Sequence, residues 1–426
     1  MVRVFQKVLA ALAALMLIAA PAQAGLAARD PALARVQAVL DGYVASGKTS
    51  GIVVAIGRNG ASPVFLSSGR VASTPGAPVA SPDSLWRIYS MTKPITAAAA
   101  MILIEEGKLR LDQPIGEILP AWRSVRVLDD PATSLNSHPA RHPITVRNLL
   151  THTSGLTYQF LGSGPLPDDY KRNGLLGGRV PPAMAGSQPQ GLAEFADRLA
   201  REPLLAEPGS EWNYSVSLDL LGRVIEVAAG VPFDRFVEDR VLKPLGMTST
   251  YWTVPRGQSA RLATSYGWDG DTSTPLDTGA NSLWLSPPLA PYGGSGLVSS
   301  ARDYDRFLRM LDGSGKLGTV RLLKPTTVRL AMSNLLPGDV RVMKDVSPAA
   351  TPARGFGAGG SVYLESVPGG VSAGTYGWFG AAGTIAFIDP TKRLRVTVMV
   401  NYMPMKKWPL YDDLVRAIYS NPDQSR

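Results

Sequence analysis

The stretch from Ser90 to Glu106 most narrows the folds open to this chain. Pro94 suits a first helical turn, a run of Ala, Ile, Leu and Met follows, and Gly107 is placed to end the helix. Such a helix is apolar on nearly every face, so it belongs in the interior. Burying it takes a large core, and 426 residues of which 45% are hydrophobic supply one. Disorder and coiled coil are both disfavoured by the same composition.

The first 24 residues read as a secretory signal and not as part of the fold. Arg3 and Lys7 give a positive start, Val8 to Ala20 is an apolar run, and Ala22-Gln23-Ala24 is the small-x-small pattern that signal peptidase cuts after. Cleavage after Ala24 removes two basic residues, leaving 402 residues and a formal charge of +7 in place of +9. The run is too short to span a bilayer comfortably, and no later stretch approaches the roughly 20 residues a membrane helix needs. The expectation is a secreted or periplasmic protein with no stable membrane insertion after cleavage.

Cysteine is absent, which rules out disulfides, a thiol nucleophile and Cys-ligated zinc. The basic surplus is scattered, with only short clusters such as Lys392-Arg393-Leu394-Arg395 and Lys406-Lys407. No basic helix or aromatic stacking motif accompanies them, so nucleic-acid binding is not expected.

Along the chain, Asp30 to Ser46 reads as a helix, and Gly51 to Gly57 with Pro63 to Leu66 as the strands of a hairpin. Val146 to His152, Leu192 to Leu204, Leu218 to Ala229 and Phe233 to Leu242 look helical, with Leu192, Phe195 and Leu199 at helical spacing. Two Gly- and Pro-rich stretches, Leu161 to Gln190 and Trp268 to Gly296, are too long for ordinary connections. Such loops commonly roof a cleft. Strands return at Ser361 to Glu365, Gly383 to Asp389 and Arg395 to Asn401, and a helix over Leu410 to Tyr419 closes the chain. Terminal strands that pair would form one α/β layer domain, with the helical middle as a second. No internal repeat is apparent.

Ser90-Met91-Thr92-Lys93 is an S-x-x-K at the start of the buried helix. Residues three apart share a helix face, so Lys93 can lie beside the Ser90 hydroxyl, a poor nucleophile until a neighbour helps remove its proton. The bland alternative is a Ser N-cap with a solvated Lys, but a cation at a helix N-terminus is unfavourable. Tyr214-Ser215-Val216 is a second candidate, because a tyrosine beside a lysine can act as a base. Alone, Tyr214 would be a packed aromatic. A third is the strip Tyr376 to Thr384, whose glycines allow close backbone approach and whose edge could offer N–H groups to a carbonyl oxygen; the alternative is a Gly-rich turn with Trp378 in the core.

Together these segments resemble the serine β-lactamase and penicillin-binding-protein superfamily, above all class C β-lactamases and the related family VIII carboxylesterases. Leu149 to Leu156, Pro244 to Met247 and Gly294 to Leu297 also resemble recurring segments of that group, so the likeness covers most of the chain. The resemblance implies an α+β fold: a mainly antiparallel sheet flanked by helices, formed by about 25–115 and 295–426, and an all-helical part of about 116–294. The active site would lie between them. Ser90 would match the acylated serine, Lys93 its partner and Tyr214 the second-motif tyrosine, with the N–H groups of Ser90 and Ala381 as oxyanion hole.

Two departures bear on substrate. The third-motif Lys-Thr-Gly falls on Trp378-Phe379-Gly380, and the Asn expected two residues after the tyrosine is Val216. Losing a cation and an amide counts against β-lactam hydrolysis, and the W-x-G pattern resembles family VIII esterases. Trp378, Phe379 and Gly380 are therefore the substrate-binding candidates, with Trp378 offering apolar contact.

Gly370-Val371-Ser372-Ala373-Gly374 matches G-x-S-x-G, but all three histidines precede it and a strand, not a helix, is expected after it. His138 and His142 are four apart, yet Pro139 and Pro143 oppose a helix there and no further ligands accompany them. His152 reads as a structural histidine that could lie in the cleft. The expectation is an exported serine hydrolase, a carboxylesterase cleaving short acyl esters through an acyl-serine, taking a small-molecule ester or amide and needing no metal or organic cofactor. A β-lactamase, a D-amino-acid peptidase or an acyltransferase would share the same residues. A non-catalytic cell-wall or ligand-binding protein is the alternative of another class. Oligomeric state is not legible.

Overall fold

The computed structural model describes residues 30–180, 188–338, 340–342 and 353–420. The expected signal, residues 1–24, lies outside the described residues, as does part of the Leu161–Gln190 stretch. Among the described residues no helix is long and apolar enough to cross a membrane.

Seven strands form the central sheet: β1 (Gly51–Arg58), β2 (Val64–Gly69), β3 (Arg354–Phe356), β4 (Ser361–Tyr363), β5 (Tyr376–Phe379), β6 (Ile385–Asp389) and β7 (Leu394–Met399). Their order is β3-β4-β5-β6-β7-β1-β2, and every pairing is antiparallel. The two ends of the chain thus meet between β1 and β7, where Val54 faces Val398 and Gly57 faces Arg395.

Alternation along these strands separates two cores. Ile52, Val54, Ile56, Val396 and Val398 point to an outer face covered by helices α1 (Pro31–Ala45) and, at the C-terminus, Leu410–Tyr419. Val53 and Met399 point the other way, into a larger core built around α2 (Thr92–Glu105). Thr92 to Leu103 are all buried, as the all-round apolar sequence requires. Each fully buried Ile, Leu or Met side chain there contributes about 1.5–3 kcal/mol. Gly107, at φ +73°, follows the helix.

The middle of the chain supplies α3 (Val146–Thr151), α4 (Pro165–Arg172), α5 (Leu192–Leu199), α6 (Ser217–Ala229) and α7 (Phe233–Val237), the last running on into a π-type turn over Glu238–Leu242. A capping box starts α3: the Thr145 hydroxyl accepts from the Asn148 N–H while Asn148 Oδ1 accepts from the Thr145 N–H. The antiparallel sheet flanked by helices is the architecture expected. Several local readings change. The first long stretch contains α4, the second begins within a hairpin of Ser265–Asp269 and Thr272–Asp277, and a further hairpin pairs Arg126–Leu128 with Ser137–Pro139, so this part is not all helix. Two helices not read from the sequence, α8 (Ala301–Asp312) and α9 (Pro325–Ala331), precede the C-terminal strands, and Leu410–Tyr419 becomes α10.

Helix α8 packs on the inner face of the sheet through a buried ion pair. Arg395 of β7 is fully buried and its Nε donates to Asp305 Oδ1 at 2.8 Å. The guanidinium lies over Gly57, where a Cβ would meet its central carbon at 2.1 Å. The missing side chain at Gly57 makes the space for Arg395.

Candidate active site

Ser90 sits at the junction between sheet-side chain and α2. Tyr89 takes φ +40°, a costly conformation for an aromatic residue, and opens a short 3-10 turn, Tyr89–Met91, that feeds the helix. Lys93, one turn on, is completely buried. Its Nζ donates to Ser90 Oγ at 3.0 Å and to the carbonyl of Gly294 at 2.8 Å, and it lies 4.5 Å from the centre of the Tyr214 ring. The S-x-x-K therefore places ammonium and hydroxyl together, not as an N-cap with a solvated lysine.

Tyr214 arrives from the segment before α6, and its Oη lies 2.6 Å from Ser90 Oγ. Ser90 and Tyr214 are both partly exposed, so a reagent can reach the oxygen pair while Lys93 stays beneath them. Trp378 of β5 completes the group: its indole Nε1 donates to Tyr214 Oη at 3.3 Å. Only 4% of Trp378 is exposed, within an aromatic cluster of Trp212, Phe356 and Tyr214. At this position the chain holds Tyr214 with a neutral N–H where the lactamase pattern has a lysine.

The strip from Tyr376 is strand β5 itself, an interior strand of the sheet, followed by a turn. Gly380 lets the strand end close on the Ser90 turn, since a Cβ there would lie 2.4 Å from the Ile88 carbonyl oxygen and 2.3 Å from Thr384 Oγ1. In that turn Gly380 N–H donates to Thr384 O and Gly383 N–H to Gly380 O. The exposed Ala381 takes no part in these bonds. Phe379 stacks on Trp378 at 4.5 Å and faces a cavity on the outer side of the sheet.

His152 is fully buried behind Tyr214, its ring 4.7 Å from the tyrosine ring, and it caps α3 at φ +58°. The Ser215 backbone N–H donates to its Nδ1 at 3.2 Å. That nitrogen is therefore an acceptor, which puts the proton of the neutral ring on Nε2. Burial, reinforced by the Lys93 charge, holds its pKa well below the usual histidine range, so the ring is neutral. The surrounding block is a brace: Asn213 N–H donates to His152 O at 2.8 Å, Ser154 and Ser217 hydroxyls meet at 2.7 Å, as do those of Ser215 and Ser217. These bonds fix the loop that carries Tyr214.

Asp219 is a participant the motifs did not reveal. It is fully buried on α6, and its Oδ1 accepts from the Gly294 N–H at 2.8 Å. Burial pushes its carboxyl up to about 6, against the pull of the nearby Lys93 ammonium. The one sequence signal was an acid set between Leu218 and Leu220 at the start of the helix.

The remaining candidates lie elsewhere. Ser372 is 6% exposed, its N–H donates to Asp389 Oδ2 at 3.0 Å, and strand β5 follows it, so the elbow geometry is absent there. His138 Nδ1 lies 2.6 Å from Asp129 Oδ1. Among the described residues no group of three or more His, Asp or Glu side chains could hold a metal ion.

A serine flanked by a buried lysine and a tyrosine, at the foot of a helix between a sheet and a helical layer, defines a serine hydrolase of the β-lactamase fold. The chain belongs to the Beta-lactamase family, whose model matches residues 36–419. It is 31% identical over 388 residues to Esterase EstB of Burkholderia gladioli, covering 86% of this chain and 90% of that one. Monacolin J acid methylbutanoyltransferase of Aspergillus terreus is 28% identical over 367 residues, covering 80% and 83%. Among solved structures, EstCE1, a hydrolase with promiscuous acyltransferase activity, superposes with a TM-score of 0.75 at 27% identity, covering 92% of this chain and 99% of that one.

Proposed function

We propose that this protein is an exported carboxylesterase that cleaves short-chain acyl esters through an acyl-Ser90 intermediate. The observation that carries the reading is the pair of contacts on Ser90 Oγ, from Tyr214 Oη at 2.6 Å and Lys93 Nζ at 3.0 Å. A contact that short allows a proton to pass between the two oxygens. With Tyr214 as phenolate, held beside the Lys93 charge, Ser90 gives up its proton as Oγ attacks the carbonyl carbon.

The N–H groups of Ser90 and Ala381 would receive the developing oxyanion. Tyr214 then returns the proton to the leaving alcohol. Water in the place of that alcohol gives a proton to Tyr214 as its oxygen attacks the acyl carbon; the bond to Ser90 Oγ then breaks, Tyr214 passes the proton to Oγ, and the acid is freed. Val216 and Trp378, where the lactamase pattern has Asn and Lys, support esters over β-lactams. Export rests on the Arg3 to Ala24 pattern.

A second reading, transfer of the acyl group to another alcohol, uses the same intermediate with a different acceptor, and it is favoured by the likeness to a methylbutanoyltransferase. Turnover of p-nitrophenyl acetate and butyrate beside a chromogenic cephalosporin, with and without an added alcohol, separates the three. Ester hydrolysis well above cephalosporin turnover is expected; preferential cephalosporin cleavage would overturn the reading.

A further inference from the structure

A cavity of about 380 Å³ lies on the outer side of the sheet, between strands β4 to β6 and the segment from Tyr402 to Asp412. Its volume falls within the range of small-molecule pockets. One end is apolar, walled by Phe379, Ile385, Phe387 and Leu410. The other end is polar and is built around Arg354, which is 8% exposed.

Arg354 is not paired with an acid: among the described residues no carboxylate lies within ion-pair distance of it. Its guanidinium donates one N–H to the Tyr363 hydroxyl and lies 4.1 Å from the centre of that ring, and Tyr363 Oη meets Tyr411 Oη at 2.7 Å. Among the described residues its Nε–H is buried without a partner, and so is Thr375 Oγ1, from another residue lining the cavity. A buried cation with an unused donor favours an anion, because desolvation of the charge is otherwise uncompensated. The exposed Lys406 and Asp412 also line the cavity.

We propose that this cavity binds a small amphipathic monocarboxylate, its carboxylate on Arg354 and Thr375 and its hydrocarbon along Phe379, Ile385 and Leu410. One buried guanidinium matches one negative charge, and a guanidinium fork suits the planar carboxylate. A phosphate dianion would bring charge that a single guanidinium does not balance. The site shares strand β5 with the catalytic cleft: Phe379 and Trp378 both line the cavity, and the Trp378 indole donates to Tyr214 Oη. The assignment does not depend on Ser90 being the nucleophile.

The test is titration calorimetry of the protein with decanoate, decan-1-ol and decyltrimethylammonium. Saturable one-to-one binding of decanoate is expected, equal in Ser90→Ala, with the alcohol and the cation at least tenfold weaker. Arg354→Met, which keeps the length of the side chain, should weaken decanoate at least tenfold, as should Leu410→Trp, which fills the apolar end. If Arg354→Met fails to fold by circular dichroism, Thr375→Val takes its place with the same expected direction. Absence of saturable binding, or decanoate binding unchanged in the folded Arg354 or Thr375 variant, would overturn the proposal.

Discussion

Asp219 stands opposite Lys93 across Gly294, whose N–H donates to Asp219 Oδ1 at 2.8 Å and whose carbonyl accepts from Lys93 Nζ at 2.8 Å. A buried ammonium needs a compensating charge, and Asp219 is the carboxylate whose titration Lys93 perturbs. Because its carboxyl titrates at about 6, that compensation is lost below this pH. We therefore predict an acid limb in kcat/KM near pH 6 that flattens in Asp219→Asn, with kcat/KM at pH 7 lowered by up to about a hundredfold. An unchanged pH profile in the variant would refute this role.

The same group has the opposite sign in stability. Its folded pKa is above the ordinary carboxylate value, so its stabilising contribution is complete below about pH 4 and is lost as pH rises through about 6. The difference amounts to about 3 kcal/mol. Urea unfolding at pH 5 and pH 7 should show this dependence weakened in Asp219→Asn.

Tyr214→Phe removes the oxygen 2.6 Å from Ser90 Oγ and keeps the ring against His152 and Trp378. Loss of about 10²–10⁴-fold in kcat is expected, with little change in thermal stability. Steady-state kinetics on p-nitrophenyl butyrate measures it; kcat within a fewfold of the parent would exclude Tyr214 as the proton carrier.

Gly380→Ala puts a methyl group 2.4 Å from the Ile88 carbonyl oxygen. The turn carrying Ala381 must then move away from the Ser90 turn. We expect a stability cost of about 1–3 kcal/mol and a fall in kcat of about a hundredfold, read by denaturant titration and by kinetics.

Asp305→Ala leaves the fully buried Arg395 without its closest acid. Unfolding free energy should fall by about 3–5 kcal/mol in urea titration. Ester turnover by the folded fraction should persist, because this pair lies between α8 and β7 and touches none of Ser90, Lys93 and Tyr214.

Much of the site was legible because its signals are local. Ser90 and Lys93 lie one turn apart, α2 announces its burial by composition, and α10 spans Leu410–Tyr419 as its pattern indicates. Helix α8 was also readable, with Ser300 as N-cap and Tyr304, Phe307, Leu308 and Leu311 at helical spacing, but the charged residues between them hide the period. Asp219 was not readable, since its meaning depends on Gly294 arriving from 75 residues away. The neutral state of His152 likewise follows from burial that no local pattern states. Trp378 is legible only as a substrate-binding candidate; the bond from its indole to Tyr214 comes from the packing of β5 against the helical layer, which no local pattern states.

The most direct test of the account is mass spectrometry of the protein after incubation with a p-nitrophenyl alkylphosphonate. The account predicts one adduct, on the peptide containing Ser90, lost in Ser90→Ala together with ester turnover. An adduct on Ser372, or full turnover in Ser90→Ala, would contradict it.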